Sequence, residues 1–313
     1  MPNFESGFGG FIDSSTKRWS RHLEQLAANG LGDFYRETLL EEYGGRTLTH
    51  YTSLEGFRSI ITNSELWASN IRFLNDRREM DYGIDEAIKF LEANDGNDDK
   101  ETAELFAAVK ERLTNNIPEI YACCFCEHND SLGQWRGYTG GGQGVAIEFN
   151  ARALNDHFET EFQRTSLYKV IYGEDHTRFS LKKAIRRIFG RVDIDNDISE
   201  VVGPETTIEG RLLKLLLRLA PQFKHDAFKD ELEWRLIVNR PSDVSKIAFR
   251  TRDNVLVPYV KLGDKDKPLP IGRVIVGPGK DMHLTEQSVR MFLGTQSHYL
   301  GVKVEKSTVP FRT

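Results

Sequence analysis

Four short apolar stretches crowd the last third of the chain: Glu233–Asn239, Lys246–Arg250, Val255–Lys261 and Ile271–Val276. Each has the length and β-branched content of a strand. The links between them are too short for a crossover helix, and parallel neighbours need a connection of about a dozen residues or more. These strands must therefore pair mainly antiparallel. Upstream, helical and extended patterns follow one another without a strict alternation, so the fold class is α+β, a mixed and mainly antiparallel sheet with surrounding helices.

Arg46–Tyr51 reads as a strand, and Thr52-Ser53-Leu54-Glu55 has the form of a capping box opening a helix to Thr62. Further strands are expected at Glu65–Ser69, Ile117–Cys126, Gln143–Phe149, Leu167–Tyr172 and Lys303–Lys306. Helices are expected at Glu79–Leu91, up to about Asn116 after the acidic stretch Glu92–Glu101, and at Leu284–Leu293, with a short helix or turn at Ser131–Tyr138. Apolar spacing over 15–28 and 34–43 suggests a helical N-terminal extension, residues 1–45. The main α+β domain is then 46–313, with a helical insert at about 174–220.

The net charge is −5, which argues against a surface made to follow a long phosphate backbone. No apolar run approaches the roughly 18 residues of a membrane span. The three cysteines, two of them adjacent, make a poor disulfide framework. A cytoplasmic protein without a membrane partner is the expectation.

Several segments carry candidate chemistry. His50 ends a strand beside a helix start, where an imidazole can hold a sugar hydroxyl or be satisfied by backbone. Asn75-Asp76 has the form of a helix cap. Ser131, Gln134, Trp135 and Tyr138 project together on a helix and could stack an aromatic ring, or simply anchor an amphipathic turn. Gly140-Gly141-Gly142-Gln143-Gly144 precedes a strand rather than a helix, so it is not a phosphate-cradling loop. On a strand, Cys124 and Cys126 face one way and Cys123 the other. Glu231 and Glu233 would share one side of a strand entrance, as a split acid–base pair, unless Glu233 pairs with Arg235.

The order of these motifs is more specific than any one of them. His50-Tyr51-Thr52-Ser53, Leu74-Asn75-Asp76-x-x-Glu79, Cys124-Phe125-Cys126, Gln134-Trp135-x-x-Tyr138 and Glu231-x-Glu233-Trp234-Arg235-Leu236 together resemble a bacterial domain-of-unknown-function family, number 2971. The resemblance runs from about Leu48 to Ser307. A looser one follows from His50 on a first strand and Gly56-Phe57-x-x-Ile60-Ile61 on the next helix, which are similar to ADP-ribosyltransferases. That likeness implies a split sheet around NAD, an ADP-ribosyltransferase-like core. It implies catalytic roles for His50, an aromatic residue (Tyr138, or else Tyr82) and Glu233, with Glu231 completing a Glu-x-Glu pair. Tyr51, Thr52, Ser131, Gln134 and Trp135 would then line the NAD site, and Arg136 would meet its pyrophosphate. NAD would be consumed as substrate, and the acceptor would be a protein or a nucleic acid, a chemistry suited to a toxin or a phage-defence effector. The alternative is a non-enzymatic module that binds a nucleotide or a peptide.

Overall fold

The computed structural model describes residues 43–74, 79–94, 100–115, 119–139, 143–159, 165–189, 207–241, 243–252 and 254–310. The expected N-terminal helices, the Asn75-Asp76 cap and glycines 140–142 lie outside those residues. In chain order the elements are β1 (Thr47–Ser53), α1 (Leu54–Asn63), β2 (Glu65–Asn70), α2 (Glu79–Ala93), α3 (Lys100–Asn115), β3 (Ile120–Cys126), α4 (Leu132–Tyr138), β4 (Gly144–Asn150), α5 (Ala151–Glu159), β5 (Ser166–Lys169), β6 (Ile171–Tyr172), α6 (Glu174–Phe189), α7 (Ile208–Leu219), β7 (Phe223–Lys224), β8 (Glu233–Asn239), β9 (Ile247–Arg252), β10 (Val255–Gly263), β11 (Ile271–Val276), α8 (Met282–Gly294) and β12 (Lys303–Lys306). The chain divides into two compact units, each assembled from separate stretches.

The first unit takes residues 43–77, 119–170 and 226–313 and is built on a ten-stranded sheet. Its path runs β12-β11-β4-β1-β3-β2-β10-β9, with β8 joined to both β3 and β5. All pairings are antiparallel except β11 with β12, which α8 connects. The class is thus α+β, as the crowded late strands require. One face carries the main core, in which Leu48, Phe125, Ile147, Phe149, Trp234 and Val274 meet Phe57 and Ile61 of α1 and Val289 and Leu293 of α8. A smaller apolar cluster holds Tyr51, Cys126, Trp135, Ala146 and Ile275. Strand alternation sends these β-residues to the opposite face, where α4 covers them.

Local chemistry explains where elements begin. Ser53, not Thr52, caps α1: its Oγ accepts from the Gly56 amide at 3.1 Å, while Thr52 stays in β1 opposite Val145. α5 was not expected, because it follows β4 without a loop; Asn150 caps it by accepting from the Ala153 amide at 3.0 Å. The expected single strand over Leu167–Tyr172 is two short ones, β5 on β8 and β6 on β7, with Val170 between them bonded to the Glu233 carbonyl.

The second unit is helical. It holds α2, α3, α6 and α7 with the two-stranded parallel pair β6–β7. The stretch marked in sequence as an insert therefore shares this unit with α2 and α3. Its interior is formed by Met80, Ile84, Phe106, Val109, Leu212 and Leu216.

Glycine packing gives a test of the sheet unit. A Cβ on Gly144 would lie 2.6 Å from the Thr52 carbonyl oxygen and 2.4 Å from Thr139 Cγ2, whereas one on Gly137, inside α4, meets nothing within 4 Å. Gly144→Ala is expected to destabilise the fold by about 1–3 kcal/mol through overpacking. Gly137→Ala should be neutral or stabilising by up to about 1 kcal/mol, since a helical glycine is entropically costly. Urea denaturation of both variants checks this, and equal midpoints would contradict the packing of β4 against β1.

Candidate functional site

A strand has two hydrogen-bonding edges. β8 occupies one edge of β3 along its whole length, from Ile120 opposite Asn239 to Cys126 opposite Glu233. β1 and β2 must share the other. β1 pairs with β3 only where Thr49 meets Cys126, and β2 pairs with it only where Ser69 and Asn70 meet Ala122 and Tyr121. Between those contacts the two strands part, and a fork opens over Cys123-Cys124-Phe125.

His50 stands at the mouth of this fork. Its Nδ1 lies 2.9 Å from the Cys124 carbonyl oxygen and 3.9 Å from Cys123 Sγ, and its ring packs on Phe125 with centroids 5.6 Å apart. A carbonyl only accepts, so Nδ1 carries the proton, standing in for the ladder N–H that the departing strand does not supply. Burial lowers the imidazole pKa below its ordinary value; the carbonyl bond opposes this, and the charge of Arg250 adds to it. The ring is therefore neutral at pH 7, with Nε2 as an acceptor, and the residue retains part of its solvent exposure.

The other arm of the fork continues into a polar wall on β2, β10 and β9. Trp67 and Tyr259 stack with centroids 4.4 Å apart, and the Arg250 guanidinium lies 5.8 Å from the Trp67 ring. Arg250 Nη2 donates to Ser69 Oγ at 2.9 Å. Sequence reading missed this wall. Arg250 and Arg252 at alternate positions of an edge strand were a visible signal, but the pairing of Tyr259 with Ser69 that brings them to β2 was not.

Glu233 lies elsewhere. It is 4% exposed and Arg235 is fully buried, with Arg235 Nε and Nη2 donating to the two carboxylate oxygens at 2.8 and 2.9 Å. Through Cys126, alternation puts Glu233 and Arg235 on one face of the sheet, whereas His50 contacts Cys123 and Phe125, which point to the other. β3 therefore lies between the imidazole and the carboxylate. Glu231 does not share a strand with Glu233: it ends a 3-10 turn, and Leu232 between them takes a left-handed conformation with φ 44°.

The α4 residues also part company. Trp135 is buried, edge-on to Tyr51 at 4.6 Å, and its indole donates to Asp130 at 2.8 Å. Tyr51 donates to the His128 carbonyl and accepts from the Ser131 amide. Both aromatic rings are thus committed to holding α4 on β1. Asp130 also accepts from Ser307 and Thr308, tying this corner to the chain after β12. Ser131, Gln134 and Thr52 are half-buried, and Arg136 and Tyr138 are exposed. Tyr82 belongs to the helical unit. All three cysteines are thiols, and burial raises Cys123 and Cys126 to about 12, so neither is a nucleophile at neutral pH.

Residues 134–236 match a family described as a protein of unknown function, DUF2971. That stretch runs from α4 to β8 and includes Glu231, Glu233 and Arg235, but neither His50 nor β2; it is narrower than the resemblance read from the sequence. No curated protein and no solved structure matches the chain.

Two outcomes follow. Glu233→Gln leaves the Arg235 guanidinium buried without its anion and is expected to cost about 3–5 kcal/mol in urea denaturation; an unchanged midpoint would show that the pair is not what holds Arg235. His50 is less basic folded than unfolded, so its contribution to stability is complete above pH 6.5 and declines as pH falls below that value. The melting temperature of the wild type should therefore drop between pH 7.5 and 5.5 more steeply than that of His50→Gln, and parallel curves would refute a buried neutral imidazole.

Proposed function

We propose that the sheet unit binds NAD in the fork between β1 and β2 and that the bound dinucleotide donates its ADP-ribosyl group to a protein or nucleic acid acceptor. The observation that carries this reading is His50, fixed by the Cys124 carbonyl with Nε2 left as acceptor at the point where the sheet divides. A ribose hydroxyl is a natural partner for such an acceptor. In the reaction the bond from nicotinamide nitrogen to the ribose C1′ breaks, nicotinamide leaves with the electron pair, and the acceptor nucleophile bonds to C1′. Positive charge grows on the ribose as that bond breaks, and holding the sugar rigidly favours the transition state.

A second reading, binding without turnover, is favoured by the state of Glu233. Both of its oxygens are engaged by Arg235, which leaves little of its charge for a developing cation.

Calorimetric titration with NAD, joined to a nicotinamide-release assay with trial acceptors, separates the readings. Binding by the wild type, weakened about tenfold or more in His50→Ala as expected for one lost hydrogen bond, supports the fork as the site. Nicotinamide release in the wild type then favours transfer, and binding without release in any trial favours the module. A folded wild type with no measurable affinity for NAD would overturn both.

A further inference from the structure

Two other arginines on the sheet of the first unit are answered by acids. Arg235 has Glu233, and Arg273 bridges Glu148 at 2.6 Å and Glu305 at 2.7 Å. Arg250 differs. Among the described residues it forms no salt bridge, and its Nε, like that of Arg273, is buried without a hydrogen-bond partner. Arg252 lies two residues on, on the same side of β9, and it too has no acidic partner among the described residues; its Nη2 donates to the Phe73 carbonyl. Two guanidiniums held close together repel each other, and partly burying one of them costs further solvation. Burial and the charge of Arg252 accordingly hold the Arg250 pKa below its usual value.

The surroundings fix the Arg250 charge in place instead of letting it turn to water. Trp67, stacked on Tyr259, flanks the guanidinium. Ser69, itself 3% exposed, accepts from Nη2 through its Oγ, and that bond leaves its hydroxyl hydrogen uncommitted. Lys261 does not add to the cluster, since it pairs with Glu65 at 3.0 Å. Among the described residues no carboxylate forms a salt bridge with either guanidinium, and an anion with several acceptor oxygens would answer both.

We infer that Arg250, Arg252 and Ser69 form a binding site for a pyrophosphate group, the guanidiniums meeting its oxygens and the serine donating a further hydrogen bond. A planar guanidinium matches phosphate oxygens two at a time, which a lysine does not. The site differs from the Arg136 position expected from sequence, which is exposed on α4. The inference stands without the NAD reading; where both hold, the site receives the pyrophosphate of the dinucleotide.

Inorganic pyrophosphate is the probe. Isothermal titration at low ionic strength should give binding to the wild type that weakens with added salt. Arg250→Gln should weaken it at least tenfold, Arg252→Gln and Ser69→Ala by smaller factors, and Arg136→Gln not at all. Should Arg250→Gln fail to fold, Ser69→Ala and Arg252→Gln carry the comparison. No binding to the folded wild type, or equal affinity in every folded variant, overturns the site. The NAD titration separates this outcome from the previous one. Pyrophosphate bound through Arg250 with no affinity for NAD sinks the NAD reading and keeps the site; NAD bound with no response to pyrophosphate or to loss of Arg250 does the reverse.

Discussion

The sheet unit depends on one geometric conflict: a single edge of β3 serves two strands. β8 takes the opposite edge completely, so β1 and β2 can each pair with only one end of β3. A gap in a ladder leaves backbone groups that must find partners, because a buried carbonyl without one costs about 1–3 kcal/mol. The imidazole of His50 meets that need at Cys124. The same bond fixes the tautomer and turns Nε2 into an acceptor. A structural requirement of the sheet and a chemical property of the fork thus have one origin. A histidine that only filled space would do neither, and an amide side chain could cap the carbonyl but would present a different group outward.

Charge is arranged with equal economy. Glu233 and Arg235 are buried together, and such a pair contributes little net stability while making each partner indispensable to the other. Arg273 ties β4, β11 and β12 through two carboxylates. Asp130 is a similar hub, its two oxygens receiving Trp135, Ser307 and Thr308. That is why Trp135 and Tyr51, attractive in sequence as stacking platforms, hold α4 against β1. Against this background Arg250, with no acidic partner among the described residues, is an anomaly of placement. Its field also reaches His50 and Cys123, which links the wall to the fork.

Much of the fold was legible because strand alternation and short links are local signals. Ile271–Val276 and Lys303–Lys306 were found to the residue, and Cys124 and Cys126 were correctly set apart from Cys123. Features that depend on partners were not. The break at Val170 arises because β5 and β6 join different sheets, which no single stretch of sequence encodes. Glu231 and Glu233 looked like an alternating pair, but the left-handed Leu232 removes Glu231 from the strand. Glu233 with Arg235 was weighed as a structural pair, and that is the arrangement found. His50 was recognised from its place beside a helix start; its hydrogen-bond role required knowing that β1 leaves β3 after Thr49.

The position of β3 between His50 and Glu233 has a consequence for chemistry. Stabilising a cationic ribose needs negative charge near the sugar, and the strength of that help falls with distance and with competing cations. Glu233 is doubly engaged by a guanidinium and faces away from the fork's imidazole. The groups gathered along the fork and its wall are an acceptor, a hydroxyl and cations: His50 Nε2, Ser69, Arg250 and Arg252. Groups of those kinds can meet sugar hydroxyls and phosphates, and none carries the negative charge that a ribose cation would need. On the NAD reading, the imidazole that would hold the dinucleotide is therefore separate from the carboxylate that would activate it, although the register puts Ser69 and Arg250 on the face of Glu233, so affinity and turnover need not rise or fall together. An acceptor that brings its own carboxylate to the fork, or that draws Glu233 away from Arg235, would rejoin them.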